Sequence, residues 1–423
     1  MKRKAISNLI IQIIICTFFL IPNNTMSQTF EKSILKVNEK YDLVGGTVVL
    51  FDKNKINNIT NWGNSNLEFN TPITDNTVFR VASISKTITA LAFMQLVEQK
   101  KIQLDEDVSK SLGFEFRNPY AKDIPITPRM LLSHTSGLQD DVEAYDKFLN
   151  MSYEENPSPN ISKLLSKNGE YFSKSIFLNK KPGSYFNYSN LNYGIIGTVI
   201  ENISGIRFDE YCRKYILMPL DIEGSFNVND IKDINQIASL YRKPDGLWKV
   251  QFDNFINSDR SKIVLKDYEI GKNALKFAPQ GGLRISGKDL AKIFMLFLND
   301  GLYKNQQIIS KNAIKAMTTS QWKFDGTNGN TNNGLFRNWG LGIHLITNTK
   351  DNDDIYSGNV SMLGHSGEAY GLVCDAFVDV INGNGFIFIT NGSGKEYINS
   401  DCSSFYAIEK EIFEIIEKQY QKK

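Results

Sequence analysis

A serine and a lysine three residues apart, Ser83 and Lys86, form a pair that can do nucleophilic chemistry. In a helix this spacing places both side chains on one face. A serine hydroxyl becomes an effective nucleophile only when a neighbouring base takes its proton. A lysine that is packed away from water gives up its own proton more readily than an exposed one. The pair therefore predicts covalent catalysis by Ser83, with Lys86 as a partner in proton transfer.

The context of Ser83 is more specific than the spacing itself. Ser33 and Ser320 are also followed by a lysine three residues later. Only Ser83 comes directly after a strand-like segment, residues 79–82, and opens a long apolar segment of helical character. We therefore expect Ser83 to stand at the start of a buried helix, where the helix N-terminus favours developing negative charge.

Tyr188 and Asn190 supply a second pair of polar side chains. A phenol acts as a general acid or base when a nearby cation lowers its pKa, and Lys86 would be that cation. Asn190 can offer its amide to a substrate carbonyl and to Lys86. The same spacing recurs twice elsewhere in the chain, but only here do a Pro-Gly turn at 182–183 and a predicted helix at 193–202 flank it.

A third polar group, formed by His365, Ser366, Gly367 and Glu368, lies at the edge of a predicted strand. His365 could donate a hydrogen bond to a substrate carboxylate or steady Tyr188. A glycine at position 367 would let a substrate approach the strand backbone closely. The alternative interpretation is a turn histidine with no contact to substrate.

The elements that must position these residues follow from the hydrophobic pattern. Strands are expected at 45–51, 59–62, 339–346, 372–380 and 386–390, and helices at 32–40, 128–132, 289–298 and 402–418. Polar stretches at 139–175 and 321–337 are expected to be surface insertions. The pattern predicts an α+β fold: an antiparallel sheet formed by both chain ends, about residues 28–82 and 339–423, flanked by helices, with a mainly helical region inserted at about 101–330.

The N-terminus has the composition of an export signal. Residues 2–4 are basic, and an apolar run of 13 residues follows at 9–21, which is too short for a membrane span. We expect a signal peptide at 1–27, cleavage between Ser27 and Gln28, and a mature domain at 28–423 in the periplasm or outside the cell. The alternative is an uncleaved N-terminal anchor.

The charge balance and the cysteines exclude several classes of protein. The net charge of +2 includes the three basic residues of the N-terminus, so neither nucleic acid nor an anionic membrane is expected as a partner. Cys212, Cys374 and Cys402 would remain in the mature chain, an odd number. Cys374 and Cys402 could pair in an oxidising compartment, but three buried free thiols are favoured. The three histidines lack metal-ligand spacing, so neither a metal nor a cofactor is expected.

The order S-x-x-K, Y-x-N, H-x-G resembles the serine β-lactamase and penicillin-binding-protein superfamily. It is most similar to the branch that holds class C β-lactamases, D-Ala-D-Ala carboxypeptidases, D-aminopeptidases and esterases. The segments 127–138, 280–283 and 339–342 resemble that branch too. The likeness runs from about residue 44 to residue 391.

The resemblance implies a β-lactamase/transpeptidase-like fold and a role for each site residue. Ser83 would be acylated, Lys86 and Tyr188 would share the proton transfers, and Asn190 would orient the substrate. The backbone N–H groups of Ser83 and Glu368 would form the oxyanion hole. Glu368 stands where small residues are usual in this branch; it would either point to solvent or receive the amino group of a substrate.

The resemblance implies an exported serine hydrolase that acts through an acyl-enzyme on an amide or an ester. A D-amino-acid peptidase, amidase or esterase is favoured, with a small molecule or a peptide, including peptidoglycan-derived peptides, as the substrate. A class C-like β-lactamase is the alternative, although such enzymes usually have lysine where this chain has His365, and imidazole is a weaker anchor for a carboxylate. A second alternative is a catalytically silent protein that binds penicillin or peptidoglycan.

Overall fold

The computed structural model of the chain describes residues 22–255, 265–358 and 360–421. The predicted signal peptide lies almost entirely outside the described residues, so its cleavage remains a prediction. In the part of the chain that is described, no helix has the length and apolar character needed to cross a membrane.

A large antiparallel sheet forms the centre of the described structure. The strands of the described structure are β1 (Gly45–Asp52), β2 (Ile56–Asn66), β3 (Thr71–Pro72), β4 (Val78–Arg80), β5 (Leu240–Arg242), β6 (Lys249–Phe252), β7 (Arg284–Ser286), β8 (Leu302–Tyr303), β9 (Gln306–Gln307), β10 (Trp322–Lys323), β11 (Asn338–Trp339), β12 (His344–Leu345), β13 (Met362–Ala369), β14 (Leu372–Asp379), β15 (Asn384–Thr390) and β16 (Gly392–Ser393). Nine of them form the large sheet in the order β10-β11-β12-β13-β14-β15-β1-β2-β3, and each strand runs antiparallel to its neighbours. The two chain ends meet where β1 pairs with β15, which confirms the predicted fold class.

Helices cover both faces of this sheet. They are α1 (Pro22–Tyr41), α2 (Ser85–Glu98), α3 (Val108–Leu112), α4 (Pro128–Leu132), α5 (Glu143–Glu154), α6 (Ser162–Leu165), α7 (Leu191–Ser204), α8 (Phe208–Cys212), α9 (Gly287–Leu298), α10 (Lys311–Thr318) and α11 (Ala407–Gln421). The terminal helices α1 and α11 pack on one another over one face, and α9 packs on β1, β14 and β15 from the other.

The apolar run in β1 explains why two cores form. Successive side chains of a strand point to opposite faces of the sheet. Val49 and Phe51 therefore pack into the core beneath the helical region, whereas Val48 and Leu50 pack into the core beneath α1 and α11. A strand that is buried on both faces has no polar alternation, as observed here.

The structure differs in detail from the sequence prediction in the sheet and in the inserted region. The strand expected at 339–346 is two short strands, β11 and β12, because the backbone turns at Gly342, whose φ of 74° suits glycine. The stretches expected to be surface insertions also contribute buried residues, among them Tyr145 and Phe148 of α5. Short strands accompany the helices of the inserted region.

The three cysteines in the described part of the chain are free. Cys212 and Cys374 are buried, whereas Cys402 is exposed. The expected burial of three thiols is therefore wrong for Cys402, which lies in the turn before α11, and the alternative of a Cys374–Cys402 bridge is not observed. The Cys374 thiol lies 3.5 Å from the carbonyl oxygens of Val81 and Gly367, between β14 and the turn that carries Ser83.

Candidate active site

Ser83 lies in a tight turn between a short strand and the buried helix. β4 pairs with β7 and ends at Arg80, and a single 3-10 turn, Ala82–Ile84, leads into α2. The helix itself begins at Ser85, two residues later than predicted. Ala82 has a φ of 39°, a left-handed conformation that is rare for a residue with a Cβ. Such local strain is common at functional sites, where surrounding packing holds it in place.

Lys86 lies fully buried beneath Ser83 and contacts three oxygen atoms. Its Nζ is 2.9 Å from Ser83 Oγ, 2.7 Å from Asn190 Oδ1 and 2.9 Å from the Gln280 carbonyl oxygen. The last two oxygens can only accept hydrogen bonds. Nζ donates to all three oxygens, and once it has lost a proton it has a lone pair for the Ser83 hydroxyl proton. Burial lowers the pKa of Lys86 to about 7, against the opposing effect of the Asp140 charge.

Tyr188 completes the predicted catalytic group but does not have the predicted pKa. Its ring stacks on His134 at 4.3 Å and on Phe336 at 5.1 Å, and its phenol is hydrogen-bonded to the Ser83 side chain. Lys86 Nζ lies 4.8 Å from the ring centroid. We expected Lys86 to lower the phenol pKa; instead burial raises the pKa of Tyr188, because the phenolate would be desolvated. Tyr188 is therefore a proton donor in the resting protein.

The loop that carries Tyr188 and Asn190 is fixed by Asp140, a residue that the sequence analysis missed. The Asp140 carboxylate accepts hydrogen bonds from Ser189 Oγ at 2.6 Å, from the Leu191 amide at 3.3 Å and from the Asn190 amide. Nδ1 of His134 accepts the Ser189 amide at 3.1 Å. Asp140 lies in a stretch expected to be a surface insertion, and nothing in the pattern marks it.

His365 lies in the predicted place, but its free ring nitrogen is a hydrogen-bond acceptor and not the predicted donor. It is 2% exposed, and its Nδ1 is 2.6 Å from the Ser366 carbonyl oxygen. That oxygen can only accept, so Nδ1 carries the proton and Nε2 carries a lone pair. Burial lowers the pKa of His365 well below its usual value, so the ring is neutral. The expectation that His365 donates a hydrogen bond to a substrate carboxylate is therefore wrong.

Gly367 lets β13 approach the turn that carries Ser83. A Cβ at this position would lie 2.9 Å from the Val81 carbonyl oxygen and 3.1 Å from the Ser83 amide nitrogen, both backbone atoms. The backbone that approaches Gly367 closely is therefore that of the turn that carries Ser83. Ser366 and Glu368 alternate with His365 and Gly367, so they lie on the other face of β13. The oxyanion hole formed by Ser83 and Glu368 stays a prediction.

A cavity of about 490 Å³ brings these groups together. All eight predicted site residues except Lys86, which lies beneath, line it: Ser83, Tyr188, Asn190, His365, Ser366, Gly367 and Glu368. Two segments that were not predicted line the cavity as well, residues 332–336 and part of 399–409. The first lies in a supposed surface insertion and the second at the start of the closing helix, and neither has a catalytic motif.

The arrangement can transfer a proton away from Ser83. Ser83 lines the cavity, the Lys86 amine with its lowered pKa lies 2.9 Å from the hydroxyl, and a phenol that keeps its proton lies beside it. These are the parts that nucleophilic attack on a carbonyl and protonation of a leaving group require. The catalytic role of each residue stays a prediction.

The fold and the site place the chain in a known class of proteins. A mixed α+β fold with a large antiparallel sheet is the architecture of the β-lactamases and penicillin-binding proteins. The family profile "Beta-lactamase" matches residues 30–401, nearly the whole chain. The chain belongs to the Beta-lactamase family.

Similar proteins agree with this assignment. "Protein flp" of Staphylococcus aureus (strain N315) is 26% identical over 197 residues, 47% of this chain and 37% of that protein. The chain spans less than half the length of the curated relatives that it matches. The octameric penicillin-binding protein homologue from Pyrococcus abyssi has a TM-score of 0.66 at 24% identity, over 87% of this chain and 74% of that one. The D-amino acid amidase from Ochrobactrum anthropi SV3, complexed with L-phenylalanine, has a TM-score of 0.62 at 20% identity, over 94% and 97%.

Proposed function

We propose that this chain is a serine hydrolase that forms an acyl-enzyme at Ser83. The observation that carries the proposal is the position of Lys86: its buried Nζ lies 2.9 Å from Ser83 Oγ, and burial lowers its pKa to about 7, so its deprotonated form can take the Ser83 hydroxyl proton. Family membership supports hydrolase activity, and the fold neighbours include a D-amino acid amidase.

The proposed reaction uses only groups of this chain. Neutral Lys86 takes the Ser83 proton while Ser83 Oγ attacks the carbonyl carbon of an amide or ester. The backbone N–H groups of Ser83 and Glu368 stabilise the oxyanion. Tyr188 donates its phenol proton to the leaving amine or alcohol and regains a proton from Lys86. Water then attacks the acyl-enzyme along the reverse route, which releases the acid and restores Ser83.

The charges around the cavity favour some substrates over others. Among the described residues that line it, none is lysine or arginine, and His365 is neutral. β-Lactams and peptides that end in D-Ala carry a carboxylate that needs a cation or a donor. We therefore favour a D-amino-acid peptidase, amidase or esterase over a class C-like β-lactamase. A silent binding protein would have no need of a buried lysine with a lowered pKa beside Ser83.

The test is covalent labelling with a fluorophosphonate probe. We expect labelling of the wild-type protein, its loss in Ser83→Ala, and its retention in Ser33→Ala, which removes the other S-x-x-K serine of the N-terminal part. Turnover of p-nitrophenyl acetate, nitrocefin and D-Ala peptides then ranks the substrate classes. Absence of labelling together with absence of ester turnover would support the silent binding protein instead.

We propose export to the periplasm or the medium on the basis of residues 1–27 alone. N-terminal sequencing of the protein recovered from cell fractions tests this. A mature N-terminus at Gln28 is expected, and an intact Met1 in the membrane fraction would indicate the uncleaved anchor.

A further inference from the structure

The Gln280 carbonyl that contacts Lys86 belongs to a backbone segment, residues 279–282, that side chains hold at every carbonyl. Each of its four consecutive carbonyl oxygens accepts a hydrogen bond from a side chain. The first two face α2: Thr89 Oγ1 donates to the Pro279 carbonyl at 2.7 Å, and Lys86 Nζ donates to the Gln280 carbonyl at 2.9 Å. The position of this segment therefore decides where one of the three contacts of the Lys86 amine lies.

Two buried arginines hold the other half of the segment. Arg80 Nη1 donates to the Gly281 carbonyl at 3.0 Å, and Arg284 Nη1 donates to the Gly282 carbonyl at 3.1 Å. The two arginines lie directly opposite one another in the ladder of β4 and β7, and they are 8% and 6% exposed. Two guanidinium groups that are buried side by side are unfavourable unless an anion pairs with them.

Asp253 supplies the anion that pairs with both arginines. Its carboxylate accepts from Arg284 Nη2 at 2.6 Å and from Arg80 Nε at 3.3 Å, and the residue is 3% exposed. Burial acts to raise the pKa of Asp253, but the charges and hydrogen bonds of the two arginines together outweigh burial and lower it. Asp253 is therefore ionised at neutral pH. It directly follows β6, so the hairpin of β5 and β6 contributes this charge.

The three charged residues can influence the reaction only through the backbone that they hold. None of them lines the cavity that contains Ser83. The Gly281 carbonyl, which Arg80 holds, lies one peptide beyond the Gln280 carbonyl that Lys86 contacts. A displacement of Arg80 therefore moves the acceptor of the Lys86 amine.

We propose that Asp253 is a positioning residue that holds Lys86 in its orientation towards Ser83. Its carboxylate keeps the two arginines in place, the arginines hold the segment 279–282, and the segment presents the Gln280 carbonyl to the Lys86 amine. The inference rests on the proposed function, because the group that is positioned is the proposed base. No motif of the sequence indicates this role.

The first test removes the charge between the arginines with Asp253→Asn. We expect the maximal rate of Ser83 labelling by the fluorophosphonate probe to fall about tenfold or more, because small displacements of a reacting group have effects of that order. The probe concentration that gives half of the maximal rate should change little, since Asp253 does not line the cavity. Asp245→Asn, which alters an exposed aspartate in the turn of the same hairpin, should label at the wild-type rate.

The second test, Arg80→Lys, separates positioning from charge. The lysine keeps the positive charge that pairs with Asp253, but its compact ammonium group does not reproduce the planar fork that also holds the Gly281 carbonyl. We expect slower labelling, and a Lys86 titration midpoint that is lower by about one unit, because the ammonium form has a weakened acceptor. The midpoint is measured by NMR on the protein without probe or substrate. Overall charge cannot explain such a shift, since Arg80→Lys leaves it unchanged.

The outcomes distinguish this inference from the proposed function. Folded Asp253→Asn and Arg80→Lys proteins that label at the wild-type rate with an unmoved Lys86 midpoint overturn the inference and leave the proposed function standing. A lower unfolding temperature with both readouts unchanged overturns it too, since the cluster would then serve stability alone. A wild-type protein that does not label overturns the proposed function, whereas the Lys86 midpoints still test the positioning. If Asp253→Asn fails to fold, Arg80→Lys decides.

Discussion

At the scale of single residues, the state of the Lys86 amine decides the chemistry. Its Nζ contacts three oxygen atoms, and burial lowers its pKa to about 7, so the deprotonated form is accessible at neutral pH. Only the deprotonated form can take the Ser83 proton. We expect kcat/KM to rise with pH through about 7. This rise can be measured with an ester substrate whose own charge does not change over the pH range. Activity that stays flat from pH 5 to pH 9 would contradict this role.

Tyr188 provides the second prediction. Its phenol keeps its proton in the resting protein, so it can supply a leaving group. Tyr188→Phe keeps the ring stacked between His134 and Phe336 but removes the proton. We expect kcat to fall about 100-fold or more, within the usual range for general acid–base catalysis, with little change in thermal unfolding. The loss should be larger for anilides than for p-nitrophenyl esters, whose leaving group needs no proton; equal losses would argue against proton donation.

Asp140 provides the third prediction, as a residue that positions the catalytic groups. It holds the Ser189–Leu191 backbone, and its charge raises the pKa of Lys86 against burial. Asp140→Asn removes that charge, so the pKa of Lys86 should fall and the rising limb of the pH profile should move to lower pH. The neighbouring exposed Asp141→Asn serves as the control. A lower kcat with an unmoved limb would mean that Asp140 acts only by holding the loop.

At the scale of elements, the approach of β13 to the Ser83 turn is the critical contact. A methyl group at Gly367 would meet two backbone atoms at 2.9 and 3.1 Å. Gly367→Ala should therefore push the strand away, cost about 1–3 kcal/mol of stability, and slow labelling of Ser83. Urea unfolding and labelling rates measure both effects. Gly281→Ala is the matched control, since its Cβ would find its nearest neighbour at 3.8 Å; equal behaviour of the two variants would refute the close-contact argument.

The helices and strands also show which features of the fold and the site could be predicted from the sequence. The strand β1 and the short helix α4 were both expected from local sequence patterns, and both form where expected. The pairs Ser83–Lys86 and Tyr188–Asn190 could be found by spacing. Asp140 and the cavity residues of 332–336 could not, because their positions arise from long-range contacts. The pKa of Tyr188 and the tautomer of His365 depend on burial and on one carbonyl oxygen, which spacing does not reveal.

At the scale of the whole molecule, the two chain ends build the platform on which the site depends. β1 pairs with β15, and α1 packs on α11, so the N-terminal and C-terminal parts complete one sheet and one core. The nucleophile turn comes from the first part, the Tyr188 loop from the inserted region, and β13 with Glu409 from the last. The cavity exists only where all three meet, which explains why motifs far apart in the chain serve one hydroxyl.

The most direct measurement of the central claim is the titration of Lys86 by NMR with lysine labelled with ¹³C at Cε, assigned by the signal lost in Lys86→Met. A midpoint near pH 7 is predicted, because burial disfavours the charged ammonium form more than the Asp140 charge stabilises it. A midpoint near 10.4, the ordinary value for lysine, would mean that Lys86 is an ammonium ion at neutral pH, and the Ser83 proton would then have no base to accept it.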